Sequence, residues 1–141
     1  MDTSGRRYYI SAAPQCPRPD ASIPEVLMNT ADFVWVQFYN NPICDLDSGL
    51  GFLESYFAWS EDLVGNGTTA VGPRVFIGVG AWDGAGSGYV GGHALAEVVA
   101  GARALGESNL GGIMMWDGAE GLANVDAYGN NYVALARAAL E

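Results

Sequence analysis

An order constrains this chain more than any single motif does: four short apolar runs, each followed by a stretch with helical spacing. The runs are Tyr8–Ala13 (YYISAA), Phe33–Tyr39 (FVWVQFY), Val75–Val79 (VFIGV) and Gly112–Trp116 (GIMMW). Their β-branched and aromatic content reads as buried strand. Apolar residues then recur at steps of three and four within Pro24–Asn29, Gly51–Val64, Ala94–Leu105 and Tyr132–Leu140, the spacing of one helix face. Strands separated by helices need crossover connections, so the expected class is α/β, with parallel strands and helices packed on at least one face.

The loops leaving the strands are long and rich in Gly, Asn, Asp and Pro (NNPICDLDSG, GAWDGAGSGYVGG, WDGAEGLANVDAYG). In α/β sheets, function collects at these C-terminal strand ends. No composition shift, low-complexity tract or charge block marks a linker, so residues 1–141 are expected to form one structural unit. Its 141 residues are about half of the ~250 that an eight-unit barrel needs. Four parallel strands leave two sheet edges unpaired, which points to self-association or to another segment covering them.

Half of the residues are hydrophobic, enough to offset ordering entropy with a buried core. Sixteen Asp and Glu stand against six Arg and no Lys, a net charge of −10. Such a chain repels a phosphate backbone, so nucleic acid is not an expected partner. Without Lys there is no P-loop lysine, Schiff-base lysine or polybasic membrane patch. No run approaches the ~18 apolar residues of a spanning helix, so no membrane partner is expected, and the start MDTSGRRYY has no apolar export region. Cys16 and Cys44 read either as buried thiols or as one disulfide in an oxidising compartment.

The second strand is the most informative. Alternation sends Trp35, Gln37 and Tyr39 to one face and Val34, Val36 and Phe38 to the other. An amide and a phenol thus meet at a strand end, where they either satisfy each other or serve a ligand. Elsewhere, Gly86-Ser87-Gly88-Tyr89-Val90-Gly91 fits the dinucleotide fingerprint, with Glu107 at suitable remove. Against that reading, Trp82–Ala85 separate the first glycine from its strand, and Tyr89 and Val90 are bulky where a pyrophosphate must approach. No nucleotide or other cofactor is therefore expected. His93 has no second His or Cys at ligand spacing, so it reads as a surface or capping residue and no metal is expected. Met114 and Met115 read as core. Ser11 has no histidine in register for a triad.

The segments YYISAAPQCPRPD (8–20), DFVWVQFYNNPIC (32–44), GAGSGYV (84–90) and GGIMMW (111–116) resemble, in the same order, the second half of glycoside hydrolase family 18, specifically plant- and fungal-type class III chitinases. The resemblance implies that the four units equal the fifth to eighth of a TIM (α/β)8 barrel hydrolysing β-1,4-linked N-acetylglucosamine in chitin. It makes Tyr39 the active-site tyrosine and Gln37 its polar neighbour. In such enzymes the substrate's own acetamido oxygen is the nucleophile, and a tyrosine hydroxyl stabilises the charge developing there. The resemblance makes Trp116 the floor on which a sugar ring stacks, whereas by composition alone a Trp there is equally core. It also pairs Cys16 with Cys44 in a disulfide and implies an extracellular setting, with which the sequon Asn66-Gly67-Thr68 agrees.

The family's Asp-x-x-Asp-x-Asp-x-Glu motif, whose Glu is the general acid, does not occur in these 141 residues. Asp45-Leu46-Asp47 lacks the Glu, and Asp117-Gly118-Ala119-Glu120 has another spacing. The expected function is therefore that of a chitinase-family chain, inactive alone for want of the proton donor, whose partners are chitin or N-acetylglucosamine oligosaccharides. Two alternatives stand beside it: a non-catalytic chitin-oligosaccharide-binding protein, and a fragment with no function of its own.

Overall fold

The computed structural model describes residues 5–63, 72–105 and 109–141. Four parallel strands form one sheet in the order β1-β2-β3-β4: β1 (Ser11–Ala12), β2 (Phe33–Gln37), β3 (Arg74–Gly80) and β4 (Leu110–Trp116). Between and after them run α1 (Glu25–Met28), α2 (Leu50–Leu63), α3 (Leu95–Ala104), α4 (Gly118–Ala123) and α5 (Tyr132–Leu140). The α/β class and the alternation expected from the sequence are thus observed. Val64, the sequon at 66–68 and Glu107 lie outside the described residues.

β1 is shorter than the expected Tyr8–Ala13, for two local reasons. The Ile10 amide donates to the Asp32 carboxylate (2.9 Å) instead of to a strand. Downstream, Pro14 has no amide to donate, and pairing with β2 resumes only as a bridge at Gln15–Gln37.

The two faces of the sheet are unequal. Toward the helices, Val34, Val36 and Phe38 on β2 and its extension, and Val75, Ile77 and Val79 on β3, are fully buried. They pack with Phe52, Tyr56, Trp59 and Leu63 of α2, Leu95 and Val99 of α3, and Tyr132 and Ala136 of α5. The Phe38 and Phe52 rings meet edge to face at 5.0 Å, a geometry that the ring quadrupoles favour. The opposite face carries Phe33, Trp35, Gln37, Phe76 and Met114, all only partly buried. The two outer strands, β1 and β4, each have one pairing partner among the described residues.

A disulfide joins Cys16 to Cys44 (Cα–Cα 5.9 Å), the pairing that the family resemblance implies. It ties the loop after β1 to the loop after β2. The Cys16 carbonyl also accepts bonds from Ser55 Oγ (2.8 Å) and Trp59 Nε1 (2.9 Å), so both loops are anchored to α2. Arg18 completes the anchor, its guanidinium 4.5 Å from the Trp59 ring centroid, its Nη1 donating to the Ala58 carbonyl and its Nη2 paired with Asp62.

Candidate functional site

The C-terminal ends of β2, β3 and β4 form a rim on the open face. Gln37 pairs with Gly78 and Gly78 with Met114, and one layer higher Gly80 pairs with Trp116. β3 therefore contributes no side chain between Gln37 and Tyr39 on one flank and Met114 and Trp116 on the other. With strands ~4.8 Å apart, the two flanks stand roughly 10 Å from each other.

Gln37 does not satisfy Tyr39. Its Nε2 donates to the Ala13 carbonyl at 2.7 Å, which fastens the end of β2 to the segment after β1. Tyr39 is 6% exposed, and burial raises its phenol above the ordinary tyrosine range. At neutral pH the hydroxyl keeps its proton and is able to donate a hydrogen bond. Asn40 follows with φ of +61°, a left-handed conformation that Asn tolerates better than most side chains. Asn41 Nδ2 donates to the Gln15 side chain (2.7 Å) and to the Tyr39 carbonyl (3.2 Å), fixing the backbone beside the phenol.

Trp116 ends β4 and is 61% exposed. Its carbonyl accepts from the Ala81 amide (2.9 Å), and a cis peptide bond leads to Asp117. Asp117 Oδ1 then caps α4 by accepting from the amides of Ala119 (2.8 Å) and Glu120 (3.1 Å), the usual role of Asp at a helix start. The backbone on both sides of the indole is held while the ring faces solvent. The ring is therefore not core, and Met114 and Met115, read as core from the sequence, are only partly buried.

The glycine fingerprint has another explanation here. Asn40 N donates to the Ser87 carbonyl (3.1 Å), and Ser87 N donates back to Asn40 Oδ1 (3.1 Å). A Cβ on Gly86 would lie 1.8 Å from Asn40 Oδ1, and one on Gly88 would lie 2.4 Å from Asp45 Cβ. The two glycines, at φ of +131° and +80°, let the loop after β3 close against the loop after β2. They serve the contact between these two loops.

Two features of the rim were not found from the sequence. One is the Asp45–Ser87 contact, in which Ser87 Oγ donates to Asp45 Oδ2 at 3.1 Å. The other is a 210 Å³ hollow lined by Trp82, Asp83, Tyr89, Glu120, Ala123 and Asn124. A signal for it existed: β3 and β4 both run into Trp-Asp-Gly, at 82–84 and 116–118. Asn124 floors the hollow, donating through Nδ2 to the Ala81 carbonyl (2.9 Å) and the Tyr89 hydroxyl (3.0 Å). His93, on the surface as expected, contacts Asp126 Oδ2 at 2.8 Å. No cluster of three or more His, Cys, Asp or Glu placed for a metal ion occurs among the described residues. Nor is any helix there long and apolar enough to cross a membrane.

No family model matches the chain. Individual proteins do. The acidic endochitinase SE2 of Beta vulgaris is 40% identical over 111 residues, covering 77% of this chain and 35% of its own. Among solved structures, a chitinase from Ipomoea carnea is 33% identical with a TM-score of 0.66, over 81% of this chain and 40% of its own. This chain belongs to the family 18 chitinases. Another solved family neighbour, a chitinase-like lectin from tamarind, is 25% identical with a TM-score of 0.67, over 82% of this chain and 41% of its own. The fold is accordingly that of the chitinase-like TIM barrels, but the chain spans only about two fifths of these relatives' length.

Proposed function

We propose that this chitinase-family chain is the sugar-holding part of the barrel, comprising its fifth to eighth strand–helix units, and that its ligand is an oligomer of N-acetylglucosamine. The observation that carries the reading is the rim. A desolvated, protonated phenol at Tyr39 stands across a side-chain-free strand from an indole at Trp116 that is 61% exposed. Indole faces stack on the apolar faces of sugar rings, and a fixed phenol donor suits the acetamido oxygen on which charge develops in substrate-assisted hydrolysis. Gln37 supports the adjacent backbone through Ala13 and lies next to the acetamido group.

These 141 residues hold the stabilising groups but no Asp-x-x-Asp-x-Asp-x-Glu run to protonate the leaving oxygen. The chain alone therefore binds and does not cleave. Similarity to the tamarind chitinase-like lectin favours the same outcome for a second reading, that of a binder in its own right. An oxidising, extracellular setting goes with this reading, and the Cys16–Cys44 disulfide supports it. The outer edges of β1 and β4, which have no further strand partner among the described residues, are surfaces for association with a second copy or with further strand–helix units.

Titration with chitotriose, followed by tryptophan fluorescence, tests the proposal. Saturable binding that Tyr39→Phe weakens is expected, with no turnover of a fluorogenic chitobioside. Turnover above that of the Tyr39→Phe variant would overturn the claim of inactivity.

A further inference from the structure

Asp45 is the most deeply buried carboxyl described, 1% exposed, and nothing in the sugar-binding rim uses it directly. Oδ2 accepts from Ser87 Oγ at 3.1 Å. Among the described residues no donor reaches the buried Oδ1. The ionisable group facing Asp45 is the Asp47 carboxyl, from the short 3-10 turn Leu46–Ser48. On the opposite side, the loop after β3 presents Ser87 and the backbone of Gly88. Two carboxylates side by side are both acceptors, and a buried acceptor left without a donor keeps its desolvation penalty. One proton resolves the conflict by turning one carboxyl into a donor toward the other.

We propose that a protonated Asp45 is a positioning residue for Tyr39. It acts through Ser87 and Asn40, so that the sugar-binding rim is closed in mild acid and loosened as Asp45 ionises. This rests on the sugar-binding reading of the rim. The path is continuous. Asp45 holds the Ser87 hydroxyl, and Ser87 exchanges two backbone-centred bonds with Asn40. Asn40 is the residue after Tyr39, held at φ of +61°. Burial, then the hydrogen bond with Asp47, raise the Asp45 carboxyl above the ordinary range, while the Ser87 hydroxyl opposes them. The chemistry thus supplies a proton where the geometry needs one. Gly88 belongs to the same device, because a Cβ there would lie 2.4 Å from Asp45 Cβ and would force the two loops apart.

The test has two readouts on the purified chain at pH 4.5 and pH 7.5: the chitotriose dissociation constant, and amide exchange of residues 38–41 and 86–89 corrected for intrinsic rates. The wild type is expected to bind several-fold more weakly at pH 7.5 than at pH 4.5, because ionisation of Asp45 favours the loosened rim. Both segments should also exchange faster there. Asp45→Asn, a neutral mimic that still accepts from Ser87 and donates to Asp47, should bind equally at both pH values and keep both segments protected. Gly88→Ala should resemble the ionised wild type at both. Binding and protection that remain pH-dependent in Asp45→Asn would overturn the proposal. If chitotriose binds nowhere while exchange follows the predicted pattern, the coupling holds and the sugar reading falls. If binding occurs without any change in exchange between the two pH values, the rim holds and the coupling falls.

Discussion

The two faces of this sheet obey different rules. On the helix side, six consecutive inward positions of β2 and β3, from Val34 to Phe38 and Val75 to Val79, are fully buried among α2, α3 and α5. On the open side, Phe33, Trp35, Gln37 and Phe76 are only partly buried, and the strand ends carry Gln37 and Tyr39 on one flank and Met114 and Trp116 on the other. Phe33 and Phe76 meet edge to face at 6.0 Å below Gln37. Stability thus resides on one face, and the proposed ligand contact lies on the other. A period of two separates them residue by residue.

That division is open to mutation. The largest effect belongs to the helix side: Trp59→Ala removes a 1%-exposed ring together with its bond to Cys16 and its cover over Arg18. It should cost about 3–5 kcal/mol in denaturant unfolding. Reducing Cys16–Cys44, whose partners are 28 residues apart in sequence, should cost about 3–4 kcal/mol by chain entropy, and should also loosen the loops that flank Tyr39. On the open face, Trp116→Ala should change unfolding free energy by less than ~0.5 kcal/mol, as exposed positions do.

The smallest effect is with pH, and its sign differs by group. Against the cost of burial, amides of Ile23, Ser22 and Gln15 hold Asp20 below the usual carboxylate range. Asn130, Tyr128 and His93 likewise outweigh desolvation and bring Asp126 down to about 2. Their stabilisation is present above the unfolded value of 3.8 and is lost as pH falls through the lowered ones. Asp45 works in the opposite sense, its contribution being full below 3.8 and lost as pH rises through its raised value. Melting temperature should therefore peak in mild acid, and Asp45→Asn should flatten only the high-pH side of that peak.

Much of the fold was legible because it depends on local pattern. α5 has the bounds that its spacing predicts, and α2, α3 and β3 differ from expectation by about one residue at each described end. β1 fell short because its limits are set by Asp32 and by a proline, not by the apolar run. α4 was missed because GAEGLA carries two glycines and shows no apolar period. It exists through the Asp117 cap. At the rim, the proposed roles of Gln37, Tyr39 and Trp116 come from the family resemblance, and alternation alone put the first two on one face. The link from Asp45 to Ser87 spans 42 residues. Local pattern is blind to such pairs, and the glycines that permit it looked instead like a nucleotide loop.

The central claim, that the open rim binds sugar while the helix face carries the fold, is tested most directly by one paired measurement on wild type and Trp116→Ala: chitotriose affinity and melting temperature in the same buffer. The account predicts saturable binding by the wild type and loss of most of it in the variant, with the two melting temperatures unchanged. Equal affinities in the two proteins, or a variant that loses stability together with binding, would contradict it.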